Sequence, residues 1–204
     1  MTGLRANQKA ERRRRILEAS AQLFQRVGYD AARIEDIAVI AGISTGTFYN
    51  YFENKGDILL ATVAMEVEDV LQTGKAIVSE PPRDVAEALQ KLIDCYTDHS
   101  LFYVTKEMWR TAMALSIQQP GSPFSRHYTA LDELLRSQVG ALISTMQARG
   151  HVRTDIDCSS IGALMFNNLN QMFTEFVKND EMHLDELRAK LTMQMVPVAR
   201  LMAV

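Results

Sequence analysis

The part of the chain that decides the fold is residues 34–55, IEDIAVIAGISTGTFYNYFENK. Ile34 and Ile37 begin an apolar pattern at helical spacing, which predicts a short helix. Gly42 predicts the end of that helix, because glycine accepts the positive φ of a helix C-terminus. Ser44 can begin another helix, since a serine side chain accepts backbone N–H bonds in the first turn. Two helices joined by a short turn that contains glycine make a helix-turn-helix.

The second of these helices, predicted over residues 45–52, carries an unusual set of side chains. Phe48 and Phe52 are the two that we expect in a core, because they lie four residues apart. The others supply hydroxyls, an amide and aromatic edges, which suit phosphates, base edges and thymine methyls. Lys55 follows at the start of the next helix and is expected to add a phosphate contact. The helix is therefore predicted to recognise DNA. Its outward residues are Thr45, Thr47, Tyr49, Asn50 and Tyr51.

The charge of the chain is unevenly distributed. The net charge is -3, which is too acidic for a protein that coats nucleic acid through bulk positive charge. Residues 1–55 carry nine Lys or Arg against six Asp or Glu, a balance of +3, and residues 56–204 carry the remaining -6. A basic head on an acidic body confines phosphate attraction to one end. We expect a phosphate contact from at least one residue of the basic run Arg5, Lys9, Arg12, Arg13, Arg14 and Arg15.

Residues 9–60, and above all the run from Ile37 to Lys55, resemble the N-terminal domain of TetR-family transcriptional regulators. The similarity involves many residue types at set spacing, so it is more specific than a generic helix-turn-helix. It covers about a quarter of the chain by motif, and the rest by length and helical pattern. The resemblance implies base contacts for Thr45, Gly46 and Thr47, phosphate contacts for Tyr49 and Lys55, and either kind for Asn50 and Tyr51.

One position departs from the family pattern. Where the family usually has Ser or Thr to cap the second helix, this chain has Arg33. An arginine side chain has no acceptor for the N–H groups of a helix start, so the phosphate contact usual at that cap is not expected. Arg33 is instead predicted to reach phosphate itself, and Ser44 is included among the DNA-binding residues.

The remaining chain predicts helices throughout. Apolar stripes at helical spacing mark one helix before the helix-turn-helix and six after it. Ser100 is expected to cap the sixth and Asp157 the eighth, while Pro197 should kink or end the ninth. We predict an all-α protein of about nine helices. Residues 1–56 form an N-terminal three-helix DNA-binding domain with the helix-turn-helix, and residues 57–204 form a C-terminal helical domain for effector binding and dimerisation.

The eighth and ninth predicted helices are long and apolar, and such helices need partners on more than one side. A symmetric dimer supplies them, and two recognition helices about 34 to 36 Å apart meet successive major grooves of a palindromic site. The resemblance implies the same, because these helices form a four-helix bundle with their two-fold mates in the family. The alternative is that they complete a monomeric core. The candidate dimer interface residues are Ile161, Leu169, Phe173, Phe176, Leu187, Leu191 and Met195.

The middle helices are rich in methionine and aromatic side chains. Any one of these residues fits an ordinary core, but the set also suits a cavity for an apolar or aromatic small molecule, because methionine fills irregular space and rings provide flat walls. The resemblance favours a cavity, since family members usually bind an effector in this part of the chain. The candidate ligand-binding residues are Met65, Tyr96, His99, Phe102, Trp109, Met113, Tyr128, Met165, Asn168 and Met172.

Other classes of function have little support. No apolar run approaches the roughly 20 residues of a membrane span and no signal peptide is evident, so we expect a cytoplasmic protein that does not contact membranes. Cys95 and Cys158 lack CxxC spacing and are expected to be buried free thiols. Asp94, Asp98 and His99 do not share a helix face and make a poor metal site. No GxSxG, Walker, HExxH or GxGxxG motif occurs, so we predict no enzyme, cofactor or metal.

These features together predict a homodimeric, ligand-responsive transcriptional regulator that binds double-stranded DNA. The specific expectation is a repressor released from a palindromic operator by a small apolar or aromatic effector. The alternative is a DNA-bound adaptor whose C-terminal domain recognises a protein partner and no small molecule.

Overall fold

A computed structural model describes the backbone of residues 2–204 and the side chains of residues 6–204. Over this range the chain is helical apart from turns and one isolated bridge, which confirms the all-α prediction. The side chain of Arg5, a predicted phosphate contact, lies outside the described residues. The helices are α1 (Thr2–Val27), α2 (Ile34–Ile40), α3 (Thr45–Tyr49), α4 (Lys55–Ser79), α5 (Val85–His99), α6 (Lys106–Gln118), α7 (Pro123–Ala148), α8 (Cys158–Lys178) and α9 (Leu184–Met202).

By its internal packing the chain divides into two compact units. Unit 1 contains Met1–Met65 and Phe102–His127, and unit 2 contains Glu66–Leu101 and Tyr128–Val204. The three N-terminal helices therefore pack in one unit with α6, which follows them by more than fifty residues in the sequence. The predicted domains 1–56 and 57–204 describe a division of function and stay a prediction.

The core of unit 1 is built from the apolar faces of its helices. Ile16, Phe24, Ile37, Phe48 and Ile58 are all fully buried. These residues come from four successive helices, so the short helices α2 and α3 are held by tertiary packing rather than by their own length.

Unit 2 is organised around α9, which packs along α5 and α8. Asp157 caps α8 as predicted, because its Oδ1 accepts the N–H groups of Ser159 and Ser160, each at 3.1 Å. Pro197 lies inside α9, and the helix continues to Met202 instead of ending there. Packing explains the continuation: Met202 and other residues around the proline are buried, which offsets the lost backbone hydrogen bond.

Two smaller predictions need correction. Thr105, not Ser100, caps α6, because the Thr105 hydroxyl accepts the N–H of Met108 at 3.3 Å. The Ser100 hydroxyl instead donates to the carbonyl of Thr97, in the last turn of α5. Both cysteines are free thiols, but Cys158 alone is buried and Cys95 is half-buried.

Within the described chain, we find no helix with the length and apolar character needed to cross a membrane.

Candidate nucleic-acid interface

The turn between α2 and α3 is closed by two backbone hydrogen bonds. Gly42 N–H donates to the Val39 carbonyl at 3.1 Å, and Ile43 N–H donates to the Ala38 carbonyl at 3.0 Å. This pair of bonds is a Schellman motif, which requires positive φ at the residue after the helix end. Gly42 has φ of +66°, as the sequence predicted.

Ser44 starts α3 in the way that its side chain predicts. Its Oγ accepts the N–H of Thr47 at 3.1 Å and lies 2.9 Å from the Thr47 Oγ1. The cap satisfies one of the free N–H groups of a helix of only five residues. It also holds the Thr47 hydroxyl beside the Ser44 hydroxyl.

The buried and accessible faces of α3 and the residues after it are clearly separated. Phe48 and Phe52 are buried with ring centroids 5.9 Å apart, and the guanidinium of Arg13 lies 5.6 Å from the Phe52 ring. Tyr49 keeps 53% of its surface accessible. The other side chains of the predicted interface are exposed or half-buried, so this segment presents hydroxyl, amide and phenol groups to solvent. They are Ser44, Thr45, Thr47, Asn50 and Tyr51, with Gly46 exposed between them.

Arg33 occupies the N-cap position of α2 and makes no side-chain cap hydrogen bond, as its chemistry requires. Its Nε lies 3.5 Å from the Glu35 Oε2, and both side chains are mostly exposed. An exposed pair at that distance is weak, so the guanidinium remains accessible to an anion.

The ammonium of Lys55 has a different environment from the one predicted. Its Nζ donates to the carbonyls of Tyr29 at 2.8 Å, Asp30 at 2.9 Å and Ala32 at 3.4 Å. It also lies 4.5 Å from the centroid of the Tyr29 ring. An ammonium has three donors, and here each has an acceptor inside the protein. In this arrangement Lys55 offers no free donor to a phosphate.

The chain between α1 and α2, residues 28–32, and the end of α1 make two further contacts that the sequence analysis did not predict. The Tyr29 N–H donates to the Glu107 Oε1 at 3.2 Å, and the Gln25 Nε2 donates to the Phe102 carbonyl at 2.9 Å. Burial, with a smaller contribution from Asp30, raises the pKa of Tyr29 to about 12. Partners more than seventy residues apart leave no local pattern in a sequence, so no motif indicates these contacts.

The seven predicted dimer interface residues do not form one accessible face. Within the single chain, Leu169, Phe176, Leu187, Leu191 and Met195 are buried. Those on α9 belong to the stripe that packs inside the protomer, because α9 lies against α5 and α8. Their apolar periodicity is therefore explained by packing inside the protomer and does not mark an exposed surface for a partner. The residues of the set that remain partly accessible are Ile161 and Phe173.

Other apolar side chains of α8 and α9 are exposed in the single chain. Leu164 on α8 is 59% exposed, and Met193 and Leu201 on α9 are 69% and 73% exposed. α8 and α9 contact each other, since the Gln194 Nε2 lies 3.7 Å from the Met172 Sδ. We call Leu164, Met193 and Leu201 the outward α8–α9 face. Large exposed apolar side chains are candidates for an interaction surface.

The ten predicted ligand-binding residues divide between the two units. In unit 2, Tyr96, Tyr128 and Met165 are buried, and the Tyr96 hydroxyl donates to the Gln138 Oε1 at 2.8 Å. Burial raises the pKa of both tyrosines. The remaining members of the set in unit 2 are His99, Asn168 and Met172, and those in unit 1 are Met65, Phe102, Trp109 and Met113.

His99 faces a buried acid. Its Nδ1 lies 3.8 Å from the Oε1 of Glu66, whose side chain is almost fully enclosed. Unit 2 also has an open groove of about 900 Å³ between α4 and α7, with Leu71, Val78, Leu134 and Gln138 among its lining residues. None of the ten predicted ligand-binding residues lines this groove.

Comparison with known proteins gives a consistent set of relatives. Residues 16–62 match the family model described as bacterial regulatory proteins, tetR family. The HTH-type transcriptional repressor KstR of Rhodococcus jostii (strain RHA1) is 28% identical over 152 residues, which are 74% of this chain and 65% of that repressor. The match thus spans just under two thirds of KstR. The HTH-type transcriptional regulator BetI of Stenotrophomonas maltophilia (strain R551-3) is 30% identical over 146 residues, 68% of this chain and 72% of BetI.

A solved structure shows the same fold. FadR of Thermus thermophilus, a TetR-family transcriptional repressor crystallised in complex with lauroyl-CoA, superimposes with a TM-score of 0.65 and 18% sequence identity. The superposition covers 90% of this chain and 93% of FadR. At this identity the likeness concerns the fold alone.

Proposed function

The chain belongs to the TetR family of bacterial regulatory proteins, and we propose that it is a homodimeric repressor released from a palindromic operator by a small apolar or aromatic effector. The observation that carries this proposal is the surface of α3. A five-residue helix, capped by Ser44 and anchored by Phe48, presents a continuous polar segment to solvent. Such a surface has no use in the core and suits a major groove.

Within that segment the proposed contacts differ in kind. Thr45, Gly46 and Thr47 lie at the start of α3, and the N-terminal residues of a recognition helix contact base edges. Tyr49 contacts phosphate, and Asn50 and Tyr51 contact either phosphate or base. Phosphate contacts position the protein on any duplex, whereas base contacts select the sequence. Arg33 and Ser44 complete the proposed DNA-binding set.

We place the dimer contact on the outward α8–α9 face. Leu164, Met193 and Leu201 are exposed in the single chain, and a two-fold axis beside them lets each copy cover the same residues of the other. Ile161 and Phe173 are partly accessible and join this interface. The placement keeps the helical pair proposed from the sequence but uses a different face of α9.

The effector is proposed to bind near the aromatic and methionine side chains of the body, with Tyr96, Tyr128 and Met165 as apolar walls and His99 as a polar contact. FadR in complex with lauroyl-CoA supports this, because it shows that the fold can hold a ligand with a long apolar chain. Release from DNA requires that the effector bind one conformation more tightly than the other. Because the proposed target is bacterial DNA, the proposed location is the cytoplasm.

The test begins with the full chain and a pool of random duplex DNA. Repeated selection should enrich a palindrome whose half-sites lie about one helical turn apart, protected as one dimer in footprinting. A compound screen by thermal shift should then find a ligand that stabilises the protein, changes the fluorescence of Trp109 and weakens binding to the selected duplex. Selection without an enriched palindrome contradicts the repressor proposal. An enriched palindrome without any stabilising compound favours the protein-adaptor alternative.

A further inference from the structure

The turn between α1 and α2, residues 28–32, is held by two side chains of opposite charge that hydrogen-bond to its backbone from two sides. We call it the α1–α2 turn. One side presents a backbone N–H to the carboxylate of Glu107, and the other presents three carbonyls to the ammonium of Lys55. Both partners lie far away in the sequence, one in the first turn of α6 and one at the first residue of α4.

The contact with Glu107 depends on close approach. Gly28 has φ of +84°, and a Cβ added there would lie 3.2 Å from the Glu107 Oε2. The carboxylate thus rests against the turn where a side chain would crowd it. A hydrogen bond between an N–H and a charged carboxylate is stronger than one between neutral groups.

The contact with Lys55 uses the chemistry that lysine has and arginine lacks. Its compact ammonium directs three donors to three carbonyls of one turn, whereas a planar guanidinium suits carboxylates and phosphates. The Tyr29 side chain beneath it is buried, and its ring attracts the same cation. Four independent contacts therefore hold one ammonium, which makes its position well defined.

The α1–α2 turn lies directly before the helix-turn-helix in the chain. α2 begins two residues after the turn, and α3 follows α2 through a closed four-residue turn. The direction in which α2 and α3 leave the turn therefore depends on its backbone. Gln25, at the end of α1, adds a second bond to the segment before α6.

We propose that Lys55 and Glu107 are positioning residues that hold the α1–α2 turn and thereby set the orientation of the recognition helix α3. In this role Lys55 does not contact phosphate, and Glu107 ties the turn to the first turn of α6. The inference rests on the proposed DNA-binding function and adds the residues that orient its recognition helix.

The first measurement requires no DNA. Amide hydrogen exchange of the full chain is compared for the wild type, Glu107→Ala, Glu107→Gln and Lys55→Met. In Glu107→Ala we expect the Tyr29 amide to exchange about tenfold faster than in the wild type. In Lys55→Met we expect the same increase for the amides of α2. Glu107→Gln keeps an acceptor at the same place and should stay within about threefold of the wild type. The control is Lys75→Met, because the Lys75 Nζ donates to the Gln72 Oε1 three residues away in the same helix.

The second measurement uses two DNA probes, the duplex selected by the wild type and a duplex of scrambled sequence. Lys55→Met and Glu107→Ala should each bind the selected duplex about tenfold more weakly and the scrambled duplex within about twofold of the wild type. The salt dependence of binding to the scrambled duplex should not change. Loss of a true phosphate contact would instead lower the slope of log affinity against log salt by about 0.9.

The outcomes separate the possibilities. If Lys55→Met weakens binding to both duplexes and lowers the salt slope while hydrogen exchange is unchanged, Lys55 is a phosphate contact and the proposal is wrong. Wild-type exchange and affinity in Glu107→Ala would overturn it equally. If the wild type selects no duplex, the proposed function fails, and the exchange data alone then decide whether the two residues hold the turn.

Discussion

The α2–α3 segment and the α8–α9 pair use the same physical device, an apolar helix face, for different ends. In α3 a single buried side chain, Phe48, anchors the helix, and most of what remains is accessible. In α9 the stripe that includes Leu187 and Leu191 is buried by packing within the chain. The exposed residues of α9, such as Met193, lie on another side.

The difference shows what a helical stripe reports. Periodicity predicts that a face is buried, but it does not say whether the neighbour is the same chain or a second copy. For α3 this ambiguity is harmless, because function lies in the residues outside the stripe. For α9 it decides the interpretation, because the stripe itself was assigned to the dimer.

The largest expected effect comes from a charge in the buried stripe. Leu191→Asp should lower the free energy of unfolding by about 4 kcal/mol or more, because it places an unpaired carboxylate in the buried stripe of α9. Denaturant unfolding at matched subunit concentrations measures the loss. A folded, soluble monomer of Leu191→Asp would show instead that this residue belongs to a dimer interface.

A double substitution on the outward α8–α9 face should have a smaller and different effect. Leu164→Glu with Met193→Glu should weaken dimerisation about 100-fold, since like charges then face each other across the two-fold axis. Sedimentation measures the dimer, and circular dichroism should show unchanged helix content. Exposed Val39→Glu on α2 is the matched control. A dimer of unchanged stability would place the contact elsewhere.

On the DNA side, the expected effects separate by kind of contact. Thr45→Ala should cost about 1 to 3 kcal/mol on the selected duplex and little on a scrambled one, because base contacts carry specificity. Tyr49→Ala should weaken binding to both duplexes to a similar extent, because a phosphate contact does not depend on sequence. Titrations with both probes test the distinction, and equal losses for the two variants on both duplexes would contradict the proposed roles.

The smallest expected effects come from substitutions at the helix caps of the two regions, Ser44 of α3 and Asp157 of α8. Ser44→Ala should cost about 1 kcal/mol at any pH, because a hydroxyl cap carries no charge. Hydrogen bonds from Ser160 hold the pKa of Asp157 below its usual value. A lowered carboxyl pKa contributes stability above about pH 4 that is lost as the pH falls further.

Denaturation of Asp157→Asn and the wild type over this range measures that contribution. Asparagine caps a helix without titrating, so the difference between the two should shrink as the pH falls. A constant difference from pH 7 to pH 3 would contradict the assignment.

Most of the architecture could be predicted because its signals are local. The glycine at 42, the serine at 44 and the aspartate at 157 act on backbone groups within a few residues, so their roles hold wherever the helices pack. The choice of Phe48 and Phe52 as anchors needed only the spacing of one helical turn. Short-range hydrogen bonds and steric limits are properties of the residue types themselves.

Three features depended on which distant segments meet. Packing against α5 turned the stripe of α9 into internal core, and the residues that had been grouped as one ligand site belong to two packing units. The α1–α2 turn engaged Lys55 and brought Glu107 to its other side. A sequence carries the types of these residues but not their partners, because burial and charge pairing arise from contacts that exist after the chain has folded.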